Sequence, residues 1–189
     1  MAGIVRADTF RMNTIKSQDS DVTAINIDTT GRILTPARPA FSVYCDTSQT
    51  AADYTSGVSD AACFDQTDFN IGNCVAISSK IATFTAPVNG LYQFNWCVNL
   101  QNTNAIGHAS SYLYIYEGGT TLRYSDEDNA YRNLSDYGNS SSDTDYYSLP
   151  NSAIVQLSAT DTVKVMLKTN GDTSVAIREG TRFNGYLVG

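Results

Sequence analysis

The chain has 189 residues, room for one domain with an appendage, and its 42% apolar content is enough for a core. Its formal net charge of −7, from 12 Lys and Arg against 19 Asp and Glu, repels phosphate and so disfavours nucleic acid and anionic membrane surfaces as partners. No stretch reaches transmembrane length, and Arg6, Asp8 and Arg11 interrupt any apolar run that could read as a secretory leader, so synthesis in a cytoplasm without membrane insertion is expected.

Residues 1–36 alternate in short pieces, VRADTFRMNTIKS and DVTAINIDTTGRILTP. Four basic and four acidic side chains make this segment neutral, so the whole charge excess lies beyond it. Ile25 and Ile27 share a face ahead of Gly31. Strands this short cannot bury a core of their own and need neighbouring copies or another protein. Phe10, Ile15, Ile25 and Ile27 are the candidate docking residues. The Pro36-Ala37-Arg38-Pro39 run breaks regular structure and acts as a stiff linker. The predicted division is an arm over 1–36 and a domain over 37–189.

Short strand patterns follow. Ala40–Tyr44 is apolar and β-prone, and Lys80–Phe84 leads into a turn at Pro87, Asn89 and Gly90. Gly90–Leu100 alternates without a break: Tyr92, Phe94, Trp96, Val98 and Leu100 on one face, Leu91, Gln93, Asn95, Cys97 and Asn99 on the other. Ser111–Tyr116 sets Tyr112, Tyr114 and Tyr116 against Leu113 and Ile115. Ala153–Leu157, Asp161–Lys168, Val175–Arg178 and Arg182–Val188 complete the series, with Asn170-Gly171-Asp172 as a tight-turn signal between two of them. No sustained helical period and no internal repeat appear. The pattern predicts an all-β sandwich or barrel.

The segment 125–148 is polar and acidic with interspersed tyrosines. Its candidate recognition residues are Asp126, Asp128, Tyr131, Tyr137, Asp143, Asp145, Tyr146 and Tyr147, because Tyr supplies contact area at low entropic cost and planar faces beside Asp suit saccharides. The run Asp126-Glu127-Asp128-Asn129 has oxygen ligands suited to calcium but lacks EF-hand spacing and its Gly, so no metal and no cofactor are assigned. His108 is the single histidine and has no nucleophile motif beside it. The carboxylate pairs Asp126/Asp128 and Asp143/Asp145 could serve a glycan hydrolase, but in a Ser- and Asn-rich loop solvated charge is the simpler reading. Cys45, Cys63, Cys74 and Cys97 lack zinc spacing and read as reduced thiols; a Cys63–Cys74 link is the alternative for a chain maturing outside a cell.

Several motifs in order carry a resemblance. Pro39-Ala40-Phe41, Asn70-Ile71-Gly72-Asn73, Phe84-Thr85-Ala86-Pro87, Gly90-Leu91-Tyr92-Gln93-Phe94, Val155-Gln156-Leu157 with Asp161-Thr162-Val163, and Phe183-Asn184-Gly185-Tyr186-Leu187 resemble the conserved segments of the complement C1q globular-head domain, a tumour-necrosis-factor-like jelly roll. The resemblance covers residues 39–189 and implies a ten-stranded jelly roll that associates as a homotrimer and binds without catalysing. Thr160 stands where the family usually has Gly, and no collagen stalk precedes the domain. Tyr92, Phe94, Trp96, Tyr112, Tyr114, Tyr116, Phe183 and Tyr186 are the expected core and trimer-interface residues. The segment Ala7–Phe10 with Ala24–Pro36, feeding a Pro-Ala-Phe jelly roll, resembles the opening of phage virion proteins. Together these imply a virion surface protein, a fibre knob or a capsid or tail decoration. It would be made in host cytoplasm, dock to other virion proteins through 1–36 and present a head to host saccharide or protein. The alternative is a soluble C1q-like lectin or signalling module.

Overall fold

Alternation decides what each strand buries. The computed structural model of the protein describes residues 12–16, 21–47, 57–61, 63–101, 106–125, 132–133, 146–171 and 175–189. These fall into two units, residues 1–38 and 39–189.

In the first unit, β1 (Thr14–Lys16), β2 (Thr23–Ile27) and β3 (Ile33–Leu34) form an antiparallel sheet in that order. The β2–β3 turn is closed by Asp28. Its carboxylate accepts from the Thr30 N–H at 2.9 Å, the Arg32 N–H at 2.9 Å and the Arg32 Nε at 2.6 Å. Gly31 takes the left-handed position this turn demands, with φ of +83°.

The second unit holds β4 (Ala40–Tyr44), β5 (Gly57–Asp60), β6 (Gln66–Ile71), β7 (Val75–Ser78), β8 (Ile81–Thr85), β9 (Gly90–Gln101), β10 (Ile106–Glu117), β11 (Thr121–Ser125), β12 (Arg132–Asn133), β13 (Tyr146–Leu157), β14 (Thr162–Gly171), β15 (Ala176–Ile177) and β16 (Arg182–Leu187). One sheet runs β11-β10-β14-β8-β7, with β12 beside β10 and β5 beside β14. The other runs β13-β9-β16-β4-β6, with β15 beside β9. The two main paths hold five strands each, which is the ten-stranded jelly roll the motifs implied. Among the described residues there is no helix.

Aromatic rings from both sheets meet in the middle. Phe41 stacks on Phe84 at 5.3 Å between centroids and meets Phe183 edge-on at 4.9 Å. Phe84 also meets Tyr92 at 5.2 Å and Phe94 at 5.1 Å. Such offset and edge-on pairs add about 0.5–1.5 kcal/mol each beyond the area they bury. Gly185 makes room for them: a Cβ there would lie 2.6 Å from Phe94 Cδ1 and 2.9 Å from Phe41 Cε1. One polar bridge also crosses the core. The Trp96 indole N–H donates to Ser111 Oγ at 3.1 Å, and that hydroxyl donates to the Leu149 carbonyl at 3.2 Å.

The Ser158–Asp161 turn is held by a buried carboxylate. Asp161 accepts from the Gly118 N–H at 3.1 Å, the Ser158 N–H at 3.0 Å and Arg123 at 3.3 Å. Next to it Thr160 has φ of +76°, a left-handed conformation that a β-branched residue adopts only at a cost.

Several sequence expectations change here. β13 begins at Tyr146 and not Ala153, so Tyr146 and Tyr147 belong to a strand; β6, β7 and β11 did not stand out in the sequence. The chain does not form a hairpin around Asn170-Gly171: β14 runs through Gly171, and β15 joins the opposite sheet beside β9. On β10, Leu113 and Ile115 are the residues that enter the core, whereas Tyr114 and Tyr116 of the aromatic series lie half-buried on the outer face. Tyr112 shares that outer face by alternation yet is fully buried.

Two substitutions test this packing by urea denaturation. Gly185→Ala should lower stability by about 1–3 kcal/mol, the usual cost of overpacking a core. Thr160→Gly should raise it by about 0.5–1 kcal/mol, the left-handed strain relieved less the extra freedom of unfolded Gly. Equal stability of Gly185→Ala and the parent would contradict the interdigitation.

Candidate assembly and recognition surfaces

The outer face of the six-stranded sheet is built by register. Ile71, Ala40, Tyr186, Gln93 and Ile154 align across five strands, and Phe69, Ser42, Asn184, Asn95 and Ser152 form the next row. Directly paired residues share a face. Ile154 is 63% exposed and Tyr186 46% exposed, and Phe69, Ile71, Leu91 and Val188 are exposed too. Sheet edge to sheet edge, the described face presents apolar groups around an amide centre.

That centre is hydrogen-bonded within itself. Gln93 Nε2 donates to Asn95 Oδ1 at 3.3 Å, and Asn95 Nδ2 donates to Asn184 Oδ1 at 3.2 Å. Toward one end the Ser148 hydroxyl donates to Asn99 Oδ1 at 2.8 Å. Charge enters this face as a pair: Arg182 lies 3.4 Å from Asp68, which also accepts from the Ser42 hydroxyl at 2.9 Å. Arg182 sits 5.2 Å above the Tyr44 ring as well.

The outer face of the seven-stranded sheet differs. Tyr112, Tyr114 and Tyr116 form a ladder with centroid spacings of 5.5 and 6.0 Å. Lys164 lies 5.8 Å from the Tyr116 ring centre and 3.7 Å from the Asp60 carboxylate. Burial first, then Asp60 and Tyr114, push the Tyr116 hydroxyl above its ordinary range, so it stays a neutral donor.

The sequence-predicted residues divide as follows. Tyr92, Phe94, Trp96 and Phe183 are core, nearly or wholly inaccessible, and cannot form an interface. Tyr186 alone of that set is exposed on the six-stranded face. Its neighbours Phe69, Ile71, Leu91 and Ile154 were not among the interface residues expected from the sequence. The alternation Thr67, Phe69, Ile71 was a usable signal, but in Ala153-Ile154-Val155 three apolar residues in succession hid which side chain faces out. Tyr146 is exposed at the start of β13 with the Arg178 guanidinium 4.2 Å above its ring, and Tyr147 packs against the core. Asp126, Asp128, Tyr131, Tyr137, Asp143, Asp145 and Phe10 lie outside the described residues. His108 sits on β10 opposite Asn133 and Asn170. Among the described residues no group of three His, Cys, Asp or Glu could hold a metal ion.

In the arm, the register puts Ile15 opposite Ile25 and Ile27 opposite Ile33. All four isoleucines therefore share one face of the small sheet. Ile33 is 70% exposed, Ile15 and Ile27 are exposed, and Ile25 is half-buried.

No family model matches the sequence, and no curated protein matches it. Solved structures do match the fold. The globular domain of zebrafish complement 1qA protein superposes with a TM-score of 0.54 at 16% identity, covering 80% of this chain and 98% of that one. Murine APRIL at pH 8.0 gives a TM-score of 0.51 at 12% identity, over 79% of this chain and 98% of that one. The fold is thus a jelly roll of the C1q and TNF-like kind.

The Asp28 turn sets a pH test for the arm. The Arg32 N–H first, then the Thr30 hydroxyl and the Arg32 guanidinium, hold its carboxyl down from 3.8 to about 2. A carboxyl lowered in the folded state stabilises the turn above its unfolded value and loses that contribution as pH falls through the folded one. Carboxyl-carbon NMR should give a midpoint of about 2, with β2–β3 contacts fading as pH falls from about 4. A midpoint at 3.8 would mean the turn is not formed in solution.

Proposed function

We propose that this chain is a non-enzymatic binding module whose heads assemble as a homotrimer through the outer face of the six-stranded sheet. The observation that carries this reading is the apolar rim on that face, Phe69, Ile71, Leu91, Ile154 and Tyr186, exposed on an otherwise charge-poor surface. Large apolar side chains gathered on one face of a soluble domain mark an interaction surface better than singly scattered ones do. The opposite sheet carries a tyrosine ladder that is buried at Tyr112 and half-buried at Tyr114 and Tyr116, so its large apolar groups are less exposed. In a closed three-fold ring this face packs against a different patch of the next copy, so every copy is covered, and the motif resemblance to C1q-like heads points to that number. Binding is then multivalent, weak at each head and strengthened by display in threes.

The arm completes the proposal. Its four-isoleucine face, with the charges of Asp28 and Arg32 paired to each other, suits an apolar groove on another protein better than a charged one. With the resemblance of Ala24–Pro36 to phage virion proteins, this supports a virion surface setting, in which the arm docks and the head faces host saccharide or protein. A chain starting at Pro39 should keep its three-chain assembly and fold while failing to join particles. Incorporation of the truncated head at the full-length level would remove the docking role and favour a soluble lectin or signalling module.

The assembly face has its own test. Full-length Tyr186→Asp/Ile154→Asp places two charges on the rim of the sheet, where burying unpaired charge is costly. Light scattering should report three chains for the parent and one for the variant, with unchanged β-sheet circular dichroism. Three chains in the variant would move the interface elsewhere.

A further inference from the structure

All four cysteines carry thiols in the structure, and two of them, Cys45 and Cys63, share a side-chain hydrogen bond. Cys45 follows β4 directly, and Cys63 precedes β6. Both are buried in the core. The β4–β6 ladder pairs Tyr44 with Gln66 and continues past its formal end. The Asp65 N–H donates to the Tyr44 carbonyl at 3.2 Å, and the Asp46 N–H to Asp65 Oδ1 at 2.8 Å. That register places Asp65 across from Cys45 and Cys63 two residues further on. Beyond Asp65 the chain leaves the ladder, with the Phe64 N–H turned to the Lys80 carbonyl, and Cys63 and Phe64 both enter the core that holds Cys45.

The backbone on either side of each thiol is pinned. The Cys45 N–H donates to the Thr181 carbonyl at 2.9 Å, and the Cys45 carbonyl accepts from Gly180 at 2.9 Å. Ala61 and Phe64, flanking Cys63, donate to Val165 at 3.0 Å and Lys80 at 2.9 Å. The Cys63 side chain hydrogen-bonds to Cys45 and also reaches Thr181. The remaining thiols have other neighbours: Cys74 donates to the Ile71 carbonyl at 3.4 Å, and Cys97 to Asn99 Oδ1 at 3.4 Å.

We propose that Cys45 and Cys63 are a dithiol site that closes to an intramolecular disulfide when the protein meets an oxidised low-molecular-weight thiol such as glutathione disulfide. The Cys45 thiolate attacks one sulfur of the oxidant and expels a glutathione thiolate, leaving a mixed disulfide. Cys63 gives its proton to solvent, attacks Cys45 Sγ and expels the second glutathione. Two protein thiols are oxidised, and one glutathione disulfide becomes two glutathione thiols. The order follows from the pair's asymmetry. The hydrogen bond from Cys63 lowers the Cys45 thiol from its ordinary value, and the same bond, then burial, raises Cys63. The bridge closes the chain between the end of β4 and the start of β6, which restricts the unfolded chain more than the folded one. It differs from the Cys63–Cys74 link the sequence offered.

Because the pair is buried, the test lets oxidation accompany folding. The full-length chain is unfolded, refolded across a series of glutathione ratios, blocked with iodoacetamide in denaturant so that buried thiols react, and weighed intact. Cleavage before Asp46, Asp60 and Asp65 then separates Cys45 and Cys63 onto different peptides. The expected result at oxidising ratios is two alkylated residues, Cys74 and Cys97, one Cys45–Cys63 linked pair of peptides, and a higher denaturation midpoint that dithiothreitol reverses. Refolded Cys63→Ser should show no such oxidant-dependent rise; if it does not fold, the linkage in the parent chain decides alone. Four alkylated cysteines in folded protein at every ratio, or a link involving Cys74 or Cys97, would overturn the proposal.

Discussion

Everything in the head is arranged around one packing constraint: aromatic rings from two sheets share a space that exists because residue 185 has no side chain. Phe94 and Phe41 close over Gly185 from neighbouring strands, and Phe84 from the opposite sheet stacks on Phe41 and meets Phe94 edge-on. Interiors pack at crystal-like density, so this contact fixes the spacing of the sheets and the phase of alternation on β4, β9 and β16 together. Once Phe41, Phe94 and Phe183 face inward, Ser42, Asn95 and Asn184 must face outward in one row. The character of the outer face is therefore a consequence of the core.

That outer face is where function begins. Its middle is an amide row bonded to itself, which lowers the cost of burying it, and its rim is apolar. A surface of this type gains by being covered. The opposite sheet answers the same demand differently, with a tyrosine ladder, half-buried at Tyr114 and Tyr116, flanked by Lys164 and Asp60. The two sheets, equal in strand number along their main paths, thus present different outer faces: one a half-buried tyrosine ladder, the other exposed apolar groups around an amide row. The arm repeats the theme on a smaller scale, with four isoleucines on one face of a sheet too small to cover them.

Much of the head was legible in the sequence because its signals were local. Strict alternation from Gly90 to Leu100 gave β9 and both of its faces. The Phe-Asn-Gly-Tyr-Leu and Phe-Thr-Ala-Pro motifs carried the fold through resemblance, and the departure at Thr160 proved to sit at a left-handed backbone position. What the sequence concealed depends on tertiary context. Alternation assigns Tyr112, Tyr114 and Tyr116 to one face but not to the inside or the outside, and the aromatic face turned out to be the outer one. Phe69 and Ile154 matter because register brings them beside Tyr186, and register between strands far apart in the chain leaves no local trace. The Cys45–Cys63 approach is of the same kind, set by where β4 and β6 stop pairing.

The central claim is that the outer face of the six-stranded sheet is an interface between copies. The direct measurement is the mass of the full-length chain by sedimentation equilibrium over a range of concentrations. The account predicts a single species of three times the 20.5 kDa protomer, persisting on dilution. A monomer of 20.5 kDa at every concentration would contradict it.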